Sequence, residues 1–133
     1  MKRVVLDASA LITFFEDRSG AEKVEDLISL AVAGRRQLLM SVVNWGEVYH
    51  STWRTKGPGV ARKVLEDIAQ LPLELVDADL NLTRLAAELR VEHKLHYTDG
   101  FAAALALHSK ASLATSDKDF ASVEKKLDVL WTT

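Results

Sequence analysis

Along this chain, short runs of apolar residues alternate with longer stretches in which apolar positions recur every three or four residues. The first run, Val4 to Leu6, predicts a buried strand, and Ala8 to Phe15 predicts a helix directly after it. "DRSG" reads as a polar turn. Val24, Leu27, Ile28 and Ala31 then share one helical face, and Gly34 stops that helix. "QLLMS" predicts a second strand, followed from about Val42 to Arg54 by a helix carrying Trp45, Tyr49 and Trp53 on one face, until "TKGPG" ends it. Val60, Val64, Leu65 and Ile68 form the stripe of another helix, and Pro72 marks its exit into a short strand, "LELV". Asp77 is the expected N-cap of a helix through "ADLNLTRLAAELRVEH". "HKLHY" connects it to an alanine-rich helix in "TDGFAAALALHSK", whose small side chains permit close packing. "ASLAT" predicts a fourth strand, "SDKDFASVEKK" a turn and short helix, and "DVLW" a last strand.

Strands alternating with helices from end to end predict an α/β fold, a central parallel β-sheet flanked by helices. At 133 residues the chain suits a single domain spanning 1–133, with no internal repeat or linker. Nearly half of the residues are apolar and about a quarter are charged, the balance of an ordinary soluble protein. There is no cysteine, so disulfides and thiolate metal sites are excluded and any metal must take oxygen or imidazole ligands. The N-terminus lacks the apolar region of a signal peptide, and no run is long enough to span a bilayer, so a cytoplasmic location without membrane attachment is expected.

Four carboxylates fall at equivalent places in this pattern. Asp7 follows the first strand, Glu47 lies early in the helix after the second, Asp99 begins the alanine-rich helix, and Asp117 follows "ASLAT". In a parallel sheet all strands point one way, so residues just beyond their C-terminal ends converge on one rim. Each acid alone has a plain explanation. Asp7 suits an N-cap, Glu47 stands three residues after Asn44 as in a capping box, Asp99 favours the positive end of a helix, and Asp117 lies in a turn. Four together are different, because clustered carboxylates repel unless a cation neutralises them, and a hard divalent metal prefers oxygen ligands.

"VLDASALITFFED", "SVVNWGEVYHS", "YTDGFAAALA" and "LATSDKDF" together resemble the successive motifs of PIN-domain ribonucleases, in particular the compact VapC-type toxins of toxin–antitoxin pairs. The resemblance runs over essentially the whole chain. It implies a PIN-like parallel α/β domain, magnesium- or manganese-dependent cleavage of RNA leaving 5′-phosphate and 3′-hydroxyl ends, and inhibition by a cognate antitoxin protein. Asp7, Glu47 and Asp99 match the three most characteristic acids of the family, and Asp117 the fourth, where the family is less strict and Asp119 stands nearby as an alternative or supporting acid; the resemblance implies that Asp7, Glu47, Asp99 and Asp117 hold the metal and carry catalysis. Ser9 and Thr115 match hydroxyl positions that support the site, although Ser and Thr in such places equally make local capping bonds.

Setting the four acids aside turns the formal charge of −2 into +2, a mildly basic remainder compatible with a phosphate backbone. Arg18, Arg54, Lys56, Arg62 and Lys118 are the candidate RNA contacts, expected in loops and helix ends beside the rim, against the plain reading that each is a solvated surface charge. Trp45, Tyr49 and Trp53 form a stripe that reads equally as core or as interface. The family resemblance implies that this helix and the early helix with Phe14 and Phe15 contribute to homodimer and antitoxin surfaces. His50, His93, His96 and His108 raise a metal-free mechanism with paired imidazoles, but nothing completes such a site and helix-end polarity accounts for them.

Three other readings compete. A receiver-like signalling domain requires a second acid beside Asp7 and a lysine ending the last strand, and "DVLWTT" supplies none. A phosphatase of the haloacid dehalogenase type requires an Asp where Ser9 stands. A non-catalytic PIN-like binding module is disfavoured by the full set of acids. Within the nuclease reading, the alternative to a toxin is a housekeeping RNA-processing PIN nuclease.

Overall fold

A computed structural model describes residues 1–133. The strands are β1 (Lys2–Leu6), β2 (Arg36–Ser41), β3 (Leu73–Val76), β4 (Ser112–Thr115) and β5 (Val129–Trp131). The helices are α1 (Ala8–Phe15), α2 (Ala21–Val32), α3 (Val42–Lys56), α4 (Pro58–Ala69), α5 (Leu80–His93) and α6 (Tyr97–His108), and Lys118–Val123 forms a 3-10 turn. All five strands are parallel, in the order β3-β2-β1-β4-β5. Val4 of β1 faces Leu38 of β2 on one side and Ser112 of β4 on the other, so β1 is the centre of the sheet.

Strand periodicity divides the core in two. Val5 and Leu39 point to one face, where they meet Leu82, Ala86 and Leu89 of α5, the run Phe101 to Ala106 of α6, and Phe120. Their neighbours Val4, Leu6, Leu38 and Met40 point to the other face, against Leu11, Val24, Val48, Val64 and Ile68 of α1 to α4. Helices on both faces bury the C-terminal parts of the central strands, Val4 to Leu6 and Leu38 to Ser41, which is why the stretches up to Leu6 and Met40 read as unbroken apolar runs rather than as alternations. The small residues of α6 let it lie close to its neighbours. A Cβ on Gly100 would stand 2.9 Å from the Ala86 carbonyl oxygen and 2.7 Å from Arg90 Cγ, so α5 crosses α6 at a point that admits no side chain.

Two local expectations are corrected. The cap of α5 is Asp79, which accepts from the Leu82 N–H at 2.8 Å, and Asp77 lies two residues before that cap. Asn44 does not begin a capping box, because α3 starts earlier, at Val42, capped by Ser41 through the Val43 N–H at 3.2 Å. Both errors have one cause: several residues with capping side chains lie near each helix start, and the packing of the helix on the sheet selects among them.

The chain crosses from β1 to β2 and β3 on one side, then returns to place β4 and β5 on the other. The order therefore reverses between β1 and β4. In open α/β sheets the crevice beyond the strand ends at such a reversal is where ligand sites form. Asp7 and Thr115 stand there, at the C-terminal ends of those two strands.

Candidate active site

Asp7 is buried and is the N-cap of α1, with Oδ1 accepting from the Ala10 N–H at 2.9 Å and from the Ser9 hydroxyl at 2.7 Å. Its second oxygen, Oδ2, accepts the hydroxyl of Thr115. The Thr115 oxygen in turn accepts from the Asp117 N–H at 2.9 Å, and Ser9 Oγ accepts from the Ser116 N–H at 3.0 Å. Ser9 and Thr115 thus lock the turn after β4 onto the start of α1. Asp117 caps the 3-10 turn through the Asp119 N–H at 3.0 Å. The reading of Asp7 as an N-cap holds and Asp117, expected only in a turn, is a cap as well, and capping uses only part of what their carboxylates offer.

Asp99 makes no such cap. It lies in the first turn of α6, whose N-cap, His96, makes no side-chain capping bond. Asp99 is buried, and its Oδ2 has no hydrogen-bond partner. Asp99, Asp117 and Asp119 each bring one carboxylate oxygen within 4.8 Å of the others. Glu47, half-buried on α3, accepts from Asn44 Nδ2 at 3.3 Å, and that amide also donates to the Thr98 carbonyl at 3.1 Å.

The charges of these groups act on one another. Burial pushes the Asp99 carboxyl up from its ordinary 3.8 to about 7, reinforced by the charges of Asp117, Glu47 and Asp7 and opposed by His96. Burial likewise raises Asp7 from 3.8 to about 6, against the lowering effect of its bonds to Thr115, Ser9 and Ala10, with Glu47 raising it further. All four expected acids therefore share one electrostatic neighbourhood, and Asp119 joins Asp99 and Asp117 in its tightest trio. The donor set fits a hard divalent cation: oxygen ligands, an unpartnered buried carboxylate oxygen, and no lysine or arginine paired with any of the acids.

Two neighbours of the acids escape a reading by sequence alone. His96 Nε2 stands 3.2 Å from Asp119 Oδ2, although helix-end polarity was sufficient reason for a histidine there. Asn44 is buried and ties α3 to α6, positioning Glu47 as it does so. The legible signal was a polar side chain in register with Val48 and Thr52 on the buried face of a helix.

The five candidate RNA contacts are dispersed. Lys118 directly follows Asp117 and lays its Nζ over the Trp131 ring at 4.7 Å. Arg18, at the turn after α1, pairs with Glu16 at 2.7 Å. Arg54 and Lys56 are exposed on the last turn of α3. Arg62 corrects its expectation, since it lies inside α4 rather than at a helix end, with its guanidinium 5.5 Å from the Trp53 ring. Trp45 and Tyr49 stack at 6.4 Å and Tyr49 meets Trp53 edge-on at 5.6 Å. The stripe is neither core nor free surface: Trp45 and Tyr49 are half-buried, and Trp53 is exposed.

Comparison with known proteins agrees with this architecture. No curated protein gives a significant match by sequence. Among solved structures, the VapBC2 complex of Rickettsia felis, bound to a promoter DNA fragment, is similar at a TM-score of 0.76 with 18% identity, covering 97% of this chain and 98% of that one. A toxin–antitoxin complex from Klebsiella pneumoniae gives 0.71 with 22% identity over 98% of each chain. VapC20 of Mycobacterium tuberculosis, described as a sarcin-ricin loop cleaving toxin, gives 0.71 with 15% identity over 90% of this chain and 94% of that one. These likenesses establish the fold as that of VapC-type toxins. The sequence model of the PIN domain matches residues 4–126, and with the reversal of strand order that gathers distant acids at one rim, this shows that the chain belongs to the PIN domain family.

Proposed function

We propose that the protein is a divalent-metal-dependent endoribonuclease, a single domain over residues 1–133, acting as the toxin of a VapBC-type toxin–antitoxin pair in the cytoplasm. The observation that carries this reading is Asp99, a buried carboxylate that has an unpartnered oxygen and is grouped with two more carboxylates. Left ionised without a cation, such a group costs stability, and a nuclease site is the arrangement in which that cost has a use.

Asp99, Asp117 and Asp119 would hold magnesium or manganese, with Asp7 and Glu47 completing the catalytic set. A bound divalent ion supplies charge neutralisation at the scissile phosphate and activation of water near neutral pH. The chain's own residues do the remainder. Ser9 and Thr115 fix the rotamer of Asp7, so its carboxylate reaches the rim already oriented. Asn44 holds Glu47 toward α6. His96 opposes the build-up of negative charge around Asp99 and Asp119. Lys118, beside Asp117, is the candidate closest in sequence to the acids for contact with an RNA phosphate, and Arg18, Arg54, Lys56 and Arg62 extend the basic surface.

A groove of about 330 Å³ between α1, α3 and α4 supports the antitoxin. Ile12, Phe15, Val48, Val60 and Val64 line it, and Glu16 and Lys56 supply charges of both signs. An amphipathic helix from a partner matches that chemistry. The half-buried aromatic stripe of Trp45, Tyr49 and Trp53 supports a homodimer, since aromatic residues are enriched at interfaces. No helix is long and apolar enough to cross a membrane.

The deciding experiment is cleavage of transfer and ribosomal RNA by purified protein with magnesium or manganese, with the ends mapped. Loss of cutting on chelation and in Asp99→Asn is the expected result. Growth arrest on expressing the wild type alone, relieved by Asp99→Asn, identifies a toxin, whereas unimpaired growth with an active enzyme identifies a housekeeping nuclease.

A further inference from the structure

A cavity of about 730 Å³ lies at the opposite edge of the sheet from the acids, where β1, β4 and β5 begin. Lys2, Arg3, Lys110 and Lys126 converge on it from three separate segments. The one carboxylate in its wall, Asp128, is engaged by the Ser112 hydroxyl at 2.7 Å. Lys126 pairs with Glu92 at 3.0 Å, but Lys2, Arg3 and Lys110 have no carboxylate within ion-pairing distance. Cations gathered in a concavity repel each other, and low-dielectric walls focus their field on whatever enters.

One of these side chains is placed rather than loose, and a second cation is carried on a fixed backbone position. Arg3 donates from Nε to Gln37 Oε1 at 3.1 Å and from Nη1 to the Ser109 carbonyl at 3.2 Å, which leaves Nη2 without a protein acceptor. Lys110 occupies the position just past α6 at φ 52°, the left-handed conformation for which glycine is the default. Its N–H reaches the Leu107 carbonyl at 3.2 Å and the Ala111 N–H reaches that of Ala106 at 2.8 Å. Attraction to the helix C-terminus favours a cation in the last turn, where His108 already stands, and does not require one at a strained residue.

We propose that this cavity binds the phosphates of a nucleotide, either free or as a unit of an RNA chain. Three cations without a carboxylate partner match a group carrying several negative charges better than they match a single carboxylate. The guanidinium edge of Arg3 suits phosphate oxygens, with the two lysines as point charges beside it. Sites for small molecules commonly occupy about 300–1,000 Å³. A lone phosphate ion would leave most of this cavity empty, and Leu107 and Leu127 in its wall offer apolar surface to a sugar or base. The site is separated from the acids by the full length of β1, and the proposal does not rest on the nuclease reading.

The test is titration of the full ¹⁵N-labelled chain in EDTA, which removes any metal-mediated binding at the acidic rim. The probes are ATP and a five-nucleotide RNA. The expected result is saturable shifts of the Arg3, Ser109, Lys110 and Ser112 amides. A response to ATP identifies free nucleotides as the source, and a response to the oligonucleotide alone identifies RNA. Lys2→Gln combined with Lys110→Gly should weaken binding about tenfold through the loss of charge-assisted contacts. The melting temperature should not fall, because glycine suits the backbone at 110. Silence of these amides with both probes, shifts confined to the acidic rim, or unchanged affinity in the double variant overturns the proposal.

Discussion

Thr115 donates its hydroxyl to Asp7 Oδ2 and accepts the Asp117 N–H on the same oxygen, joining two acids 110 residues apart in sequence through one side chain. Both carboxylates depend on it. Asp7 is oriented by a bond, and Asp117 by the backbone turn that the bond pins.

Thr115→Val keeps the shape of the side chain and removes both bonds, together with the 3.2 Å contact to the Ser9 hydroxyl. It should destabilise the fold by about 1–3 kcal/mol, the cost of leaving buried polar groups unpaired. RNA cleavage should fall sharply, and Thr115→Ser should restore most of it. Urea denaturation paired with the cleavage assay checks this, and full activity in the valine variant would show that Asp7 needs no orientation.

Asp7 and Asp99 set a pH dependence. Their folded values, about 6 and about 7, lie above the ordinary 3.8, so between these limits the folded protein holds more protons than the unfolded chain. Their contribution to stability is therefore full below 3.8 and is lost as pH rises through about 6 to 7. Metal-free Asp99→Asn should be more stable than the wild type at about pH 8, with the advantage shrinking toward about pH 4. Melting curves of both proteins in EDTA measure the difference; an advantage that does not change with pH contradicts it.

Millimolar magnesium or manganese should raise the melting temperature of the wild type, because a ligand that binds only the folded state stabilises it by mass action. The rise should disappear in Asp99→Asn and be reduced in Asp119→Asn. Calorimetry that detects no binding of either metal would return the acids to capping and solvation.

Asn44→Leu removes the amide that holds Glu47 and the Thr98 carbonyl. Cleavage should drop by at least about tenfold, with a stability loss of about 1–3 kcal/mol from the orphaned carbonyl. Metal binding measured by calorimetry should weaken less than cleavage, since Asp99, Asp117 and Asp119 make no hydrogen bond to this side chain.

Gly100→Ala should destabilise the fold by about 1–3 kcal/mol, because the new methyl meets the Ala86 carbonyl oxygen at 2.9 Å and forces α5 away from α6. Denaturant unfolding provides the number. The same shift should disturb Asp99, the preceding residue, so metal affinity falls with stability.

The elements and their order were determined locally. Val4 to Leu6, the stripe of Val64, Leu65 and Ile68, and the alanines after Asp99 each carry a periodicity that has only one economical burial, and the structure forms a strand, a helix and a packed helix there, whereas Val60, expected on the same stripe, is exposed. Parallel strands then imply that Asp7, Glu47, Asp99 and Asp117 share a rim. Tertiary structure decided what each side chain faces. The cap at Asp79 rather than Asp77, Arg62 against Trp53, and Asn44 reaching Thr98 depend on contacts between segments distant in sequence. So does the difference between Asp7, whose oxygens are all engaged, and Asp99, with one left open. Local sequence sets backbone propensity and the side of an element that is buried. Partnership of a polar atom is a property of three-dimensional neighbours, and only the folded chain supplies them.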